Sequence, residues 1–276
     1  MQREANKRLQ AALEGDINAF QSLFAAFQPQ LKSYLYRLLA DRNDVDDLTQ
    51  DTFVKAFDKL STFKGNSTLK TWVFRIATNL AYDFLKRRKR WKSDAQDTAK
   101  AYAEDSPEMQ RLFWFTHQNA PAGQYDIKEH IDFCFTCIAK TLSISHQVAL
   151  ILKDVYSFPR KDISQILDKT EGVVKHLLFE ARKTMVDVFD HRCALINKAG
   201  VCHQCTELNG IYNPKQNAQK ALMKIDMVAV SEESSSERLY ELRAALVRAI
   251  DPLQSEGADL QDVIMQCTRA SIGEIG

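Results

Sequence analysis

Apolar residues recur at helical spacing along most of this chain. Ala19, Phe20, Leu23, Phe24 and Phe27 form one face that ends before Pro29, and Leu31, Leu35, Leu38 and Leu39 form the next. Val45, Leu48, Thr52, Phe53, Ala56, Phe57 and Leu60 predict a helix from Val45 to Leu60. Gly65 and Asn66 break the period, and Asn66 or Ser67 is placed to cap a helix over Leu69 to Arg88. On that helix Leu69, Trp72, Val73, Ile76, Ala77, Leu80 and Phe84 share one side. Residues 8–91 therefore read as one helical domain. Residues 92–127 are polar, with few large apolar side chains, and read as a linker with a short helical piece around Met109 to Phe115. The helical period returns over 128–190. Ile131 to Leu142 forms one helix, and Ser145 is placed to cap a second that carries Val148, Leu150, Ile151, Leu152 and Val155. A short helix to Leu167, the turn Asp168-Lys169-Thr170 and a long helix from Glu171 complete the domain. Residues 191–276 form an extension. It is irregular at first, with Gly200, Gly210 and Pro214, and then helical over Leu239 to Ile250 and Leu260 to Arg269. The fold class is all-α: two small helical domains joined by a linker, plus a mostly helical C-terminal extension.

Composition agrees with this picture. The chain has 276 residues, of which 45% are hydrophobic and 26% charged, and only nine Gly and six Pro, which argues against an all-β or solenoid chain. No repeat of roughly 20–50 residues is present, and no apolar run approaches the ~18 residues of a membrane span. The start, MQREANKRLQAALEG, lacks the apolar core of a signal peptide, so the expected location is the cytoplasm. Thiols stay reduced there, and the six Cys read as core residues or metal ligands rather than disulfides.

A formal net charge of +1 hides strong segregation. Beside the apolar side of the helix over 69–88 runs a stripe of Arg75, Asn79, Tyr82 and Lys86, extended by Arg87, Arg88, Lys89 and Arg90. Cations for phosphates, an amide for a base edge and a ring for stacking suit nucleic acid. A basic helix end that complements the dipole is the plainer reading. Asp83 is placed to pair with Arg87 one turn on. The preceding helix carries Asp44, Asp46, Asp47 and Asp51 in its first turns. Acids at a helix N-terminus satisfy the macrodipole; alternatively Asp47, Gln50 and Asp51 beside Phe53 form a protein-docking face. With no accompanying His, no DxD on a strand and no Gly-rich phosphate loop, these carboxylates do not make an enzyme, and no catalytic residue is assigned. Residues 158–189 have helix-turn-helix spacing. Ile163, Ile166 and Leu167 face Val174, Leu177, Ala181, Met185 and Val188, and Thr170 caps the second helix. The polar side of that helix carries Glu171, Lys175, His176, Arg182 and Lys183, where this motif reaches base edges.

In this order the parts resemble bacterial RNA polymerase sigma factors. DDLTQDTFVKAFDKLSTF, LKTWVFRIATNLAYDFLKRRKR and, after the linker, DISQILDKTEGVVKHLLFEARK are similar to the family's second and fourth conserved regions. The absence of a third large domain between them resembles the extracytoplasmic-function (ECF) class. Ser164 and Asp168 depart from the usual Ala and Gly of the helix-turn-helix. The resemblance implies a transcription initiation factor that binds core RNA polymerase and promoter DNA, with a separate anti-sigma protein as a candidate partner. It implies that Asp46, Asp47, Gln50, Asp51, Phe53 and Phe57 meet the polymerase. Lys70, Trp72, Arg75, Asn79, Tyr82, Lys86, Arg87, Arg88 and Arg90 would melt and hold the −10 element, with Asn79 near a flipped-out base. Glu171, Lys175, His176, Arg182 and Lys183 would read the −35 element.

Outside that resemblance lie Cys193, Cys202 and Cys205. The Cys-x2-Cys knuckle suits zinc or another thiolate-binding metal, with His203, His191 or Cys137 as the candidate fourth ligand; a thiol redox switch is the alternative. Cys134 and Cys137 sit among Phe133, Phe135 and Ile138 and read as core thiols, as does Cys267. The apolar face of the helix over 239–250 has to pack somewhere, and the protein's own DNA surface is one such place. Two other functions compete with initiation: a stand-alone helix-turn-helix regulator, and a metal or redox sensor on a helical scaffold.

Overall fold

The computed structural model describes residues 2–88, 90–92, 94–119, 127–192, 234–255 and 258–275. Thirteen α-helices run through them, and no strand. Five build the first domain: α1 (Gln2–Leu13), α2 (Ile17–Ala25), α3 (Gln28–Leu39), α4 (Arg42–Asp58) and α5 (Leu69–Leu85). Two follow, α6 (Ala95–Asp105) and α7 (Pro107–Asn119). The next four are α8 (Ile127–Ala139), α9 (Ile144–Leu150, continued by a π-helical turn over Ile151–Val155), α10 (Arg160–Leu167) and α11 (Glu171–Arg192). The last two are α12 (Ser236–Arg248) and α13 (Ala258–Ser271).

Short polar side chains start several of these helices. Asp16 accepts from the backbone of Asn18 and Ala19, Asp41 from Asp44, and Ser235 from Arg238. The cap of α5 is Thr68, whose hydroxyl accepts from Thr71 N at 3.1 Å, rather than the expected Asn66 or Ser67. Ser143, not Ser145, precedes α9. Ser145 is the second residue of the helix and spends its hydroxyl on Tyr82 across the domain boundary. Asp168 takes the left-handed conformation that ends α10 (φ 54°), a position where Gly is usual and Asp is tolerated.

In the first domain α3, α4 and α5 pack on one another around Leu31, Tyr34, Leu35, Val45, Val73 and Phe74. Phe53 stacks between Phe20 and Phe24, at ring distances of 5.3 and 5.2 Å. Residues 92–127 hold α7, which contains the helical piece expected around Met109 to Phe115, and also α6, which the linker expectation lacked. The buried face of α6 is Ala95, Ala99 and Ala103, small residues one turn apart that let α13 approach closely. Ala99 even accepts a bond from the Cys267 thiol. A face made of alanine lacks the large apolar side chains that announce a core helix.

The two domains are not strung apart. One continuous core runs from α2 through α5 and α9–α11 into α12, and a second joins α6, α7 and α13 to Trp91 and Phe133. The junction is built around the C-terminal end of α3. Arg37 is 1% exposed; it donates to Asp132 Oδ1 at 2.6 Å and Thr136 at 3.1 Å on α8. Its second terminal nitrogen donates to the carbonyls of Val247 and Ile250 at the end of α12. The last carbonyls of α3 lack intrahelical partners. They are taken by Gln147, which donates to Arg37 O, and by Lys140, which donates to Leu38 O and Leu39 O. Burial pulls Lys140 down to about 8.

Candidate nucleic-acid interface

The stripe on α5 arises from its 3.6-residue period: Val73, Ala77 and Ala81 are fully buried, which turns Arg75, Asn79, Tyr82 and Lys86 to an adjacent side. That side faces α10 and α9. Arg75 pairs with Asp168 at 3.1 Å. Tyr82 shares a hydrogen bond with Ser145, and burial raises its phenol above the usual range. Asn79, Tyr82, Asp83 and Lys86 line one wall of a cleft of about 450 Å³ whose other wall is Ser145, Ile166, Leu167 and Lys169. A second cavity of about 320 Å³ lies at the start of α5, between Phe63, Asn66, Trp72 and Arg75, and Gln165 of α10 borders it. Gln165 donates to Asn66 O at 3.2 Å there. Lys70 lies over the Phe158 ring at 4.9 Å, and burial lowers its ammonium below the ordinary value.

The basic run after α5 divides. Lys86 and Arg87 are exposed. Arg87 donates to the backbone carbonyl of Asp83, and the Asp83 carboxylate sits 3.9 Å from Lys86, so the expected Asp83–Arg87 ion pair gives way to these contacts. Arg88 pairs with Asp44 at 3.0 Å and with Glu274. Arg90 donates to Leu142 O and to Gln147 Oε1, and burial brings it down to about 10. These two arginines join the protein to itself. Lys89 lies outside the described residues.

On α4 the side away from the core carries Asp47, Gln50, Asp51 and Val54, all exposed. Asp46 is also exposed and meets Lys32 at 2.5 Å. Phe53 and Phe57 turn toward Phe20 and serve the α2–α4 contact instead of standing out from this side. Val54 at 51% exposure is the apolar residue the acidic face does present. Its signal in the sequence is a large apolar side chain out of register with the buried stripe.

The polar side of α11 is open. Glu171, Lys175, His176 and Lys183 are exposed, and Thr170 caps the helix through Val173 N. Phe179, 64% exposed, stands one turn from both Lys175 and Lys183 and was not signalled by the helix-turn-helix spacing. An exposed ring between two cations offers apolar contact at base edges. Arg182 is different: it holds Asp154 through two bonds at 2.9 and 2.5 Å, and Tyr240 of α12 donates to the same carboxylate.

A stripe of cation, amide and ring, an exposed acidic side and a helix-turn-helix thus occur in one chain. Residues 23–91 match the family model for sigma-70 region 2. The ECF RNA polymerase sigma-E factor of Haemophilus influenzae is 28% identical over 170 residues, 62% of this chain and 87% of that protein. The RNA polymerase sigma-H factor of Pseudomonas aeruginosa is 25% identical over 184 residues, 67% of this chain and 93% of that one. The chain is thus similar, over most of its length, to sigma factors of the extracytoplasmic-function class. It is a transcription initiation factor. The solved structure of CnrH in complex with the cytosolic domain of CnrY is 18% identical, with a TM-score of 0.49 over 68% of this chain and 97% of that one.

The cysteine cluster, Cys193, Cys202 and Cys205, lies outside the described residues, as does His203. Among the described residues no group of three or more His, Cys, Asp or Glu side chains is arranged to hold a metal ion. Cys137 is buried in the second core, and His191 is exposed with Nδ1 donating to Asp187 O at 2.7 Å. No helix among the described residues is long and apolar enough to cross a membrane.

Proposed function

We propose that this sigma factor works in the cytoplasm, bringing core RNA polymerase to promoters by three separate surfaces. The exposed side of α4, with Asp46, Asp47, Gln50, Asp51 and Val54, meets the polymerase. The side of α5 with Lys70, Trp72, Arg75, Asn79, Tyr82 and Lys86 takes the melted −10 strand. The open side of α11, with Glu171, Lys175, His176, Phe179 and Lys183, reads the −35 duplex in the major groove. The observation that carries this reading is the stripe on α5. A plain duplex-binding regulator needs one reading helix, which α11 supplies. It has no need of a second helix that puts a cation, an amide and a stacking ring on one side. The polymerase as partner rests on the names of the two relatives. The Cys202-x2-Cys205 spacing with Cys193 nearby supports a thiolate-bound metal in the extension as part of the same reading.

Run-off transcription with purified core polymerase and a pool of genomic promoters tests the proposal. Transcripts that require this protein are the expected result. Duplex binding with no dependent transcripts would instead favour a stand-alone regulator.

A further inference from the structure

Two features of α11 cost the folded protein stability, and they share one side of the helix. Phe179 leaves most of its ring in water, 64% exposed. Gly172 stands in the first turn, and glycine is a weaker helix former than alanine. Gly172, Lys175, Phe179 and Lys183 follow one another at intervals of three or four residues, so they line one exposed side over about three turns. The packing of the chain does not call for the glycine. A Cβ on Gly172 would meet nothing nearer than the Thr170 hydroxyl at 3.9 Å, an ordinary contact, and its backbone is helical.

Residues that cost stability without serving the fold point to a contact outside it. Charge says what that contact is: Lys175 and Lys183, both exposed, bracket the ring one turn away on each side, which suits the phosphates of a duplex. Base faces are covered in a stacked duplex, so a side chain in the major groove meets base edges. Those edges present donors and acceptors and a single apolar group, the 5-methyl of thymine. A phenyl ring set against a donor or acceptor buries it unpaired, which is costly. Set against the methyl, the ring buries apolar area on both partners. Gly172, at the leading end of the same side, keeps the backbone bare and lets that end approach the DNA closely.

We infer that α11 recognises the −35 duplex through a thymine 5-methyl group packed on Phe179, with Gly172 as the point of closest backbone approach. The inference rests on the assignment of α11 to the −35 element under the proposed function, and names one base contact within it. Phe179 is then a specificity-determining residue. Cytosine, which carries hydrogen at the same carbon, loses the contact.

The test uses the full chain bound to core polymerase. Duplexes are first selected from a pool of genomic promoters by binding to that complex. Each thymine of the selected −35 element is then replaced in turn by deoxyuridine, which removes the methyl and keeps every hydrogen-bonding group. One replacement should weaken binding about fourfold, the effect of one buried carbon. Phe179→Ala, at an exposed position that the core does not need, should bind the thymine and deoxyuridine duplexes equally. Gly172→Ala should raise the thermal stability of the free protein and yet weaken duplex binding about tenfold, a split that a merely structural glycine would not show. Duplex binding by Gly172→Ala equal to that of the intact protein would overturn the close approach. No deoxyuridine effect at any position, or an effect that persists in Phe179→Ala, would overturn the methyl contact and leave the initiation function standing. So would a loss of polymerase affinity in Phe179→Ala with no deoxyuridine effect, since the ring would then meet the polymerase. A complex that selects no promoter duplex would overturn the function and the inference with it.

Discussion

α5 and α11 invite comparison because each presents cations and an aromatic ring on one side, yet those sides have different surroundings. On α11 the row Lys175, Phe179, Lys183 points to solvent, and nothing from the first domain lies over it among the contacts described. On α5 Arg75 pairs with Asp168 beyond the end of α10 and Tyr82 bonds Ser145 of α9, while Asn79 and Lys86 stay exposed. Composition does not separate the two helices; surroundings do. A helix that binds stable duplex can stay exposed at all times, whereas one built for unstacked bases has no natural ligand until the duplex opens.

The largest expected effect comes from breaking the junction that creates the difference. Asp132→Ala leaves Arg37 buried without its carboxylate, and such a loss costs about 3–5 kcal/mol. Urea denaturation should register it in full. A loss under about 1 kcal/mol would mean that the domains separate easily in solution.

The comparison is sharpened by salt dependence. Duplex binding by the protein without polymerase should fall with log[salt], and the double substitution Lys175→Ala with Lys183→Ala should reduce that slope by about 2. Arg75→Ala with Lys86→Ala should leave the slope unchanged in the same assay and lower run-off transcription instead. Equal slopes for both pairs would contradict the assignment of duplex binding to α11 alone.

Lys140 gives a pH test of the junction. Burial holds it near 8, while in the unfolded chain it stays protonated up to about 10.5. Above about pH 8 the unfolded state therefore binds more protons, and stability rises with pH, by roughly 1 kcal/mol between about pH 7.5 and 9. Buried Tyr34, Tyr36, Tyr156 and Tyr240, whose phenols are all raised by burial, work in the opposite sense once the pH approaches about 10. Thermal melts of the intact protein and of Lys140→Met across that window should show the rise only in the former.

The smallest effect belongs to Asp168→Gly. Loss of an exposed pair with Arg75 removes a few tenths of a kcal/mol, and relief of the left-handed backbone returns a similar amount, so stability should change by less than ~1 kcal/mol. Single-strand binding should nevertheless rise slightly, because Arg75 is uncovered.

The elements made of large apolar residues were legible from spacing alone: α2 to α5, and the helix-turn-helix of α10 and α11. Residues 95–105 were not, because Ala95, Ala99 and Ala103 bury little area each and look like a polar stretch. Periodicity also reports which side of a helix is buried, but not against what. Arg37 and Asp132 are 95 residues apart, and Arg88 and Glu274 are 186 apart, so the junction and the ties of the extension left no local mark. Arg88, Arg90 and Arg182 were legible as cations on helices of the expected kind. Their partners in Asp44, Glu274, Gln147 and Asp154 come from the tertiary structure. Phe53 and Phe57 lay on the apolar period of α4 throughout, and the fold keeps them there; the exposed Val54 was detectable as a large apolar residue off that period.

The contact between α5 and α10 can be followed directly with a photo-crosslinking residue in place of Gln165. In the protein alone, irradiation should join α10 to the segment from Asn66 to Arg75. In a complex with polymerase and an open promoter that intramolecular crosslink should disappear and be replaced by one to DNA or polymerase. A crosslink of undiminished yield in transcriptionally active promoter complexes would contradict the account, because α5 would then be holding the melted strand with α10 still in place.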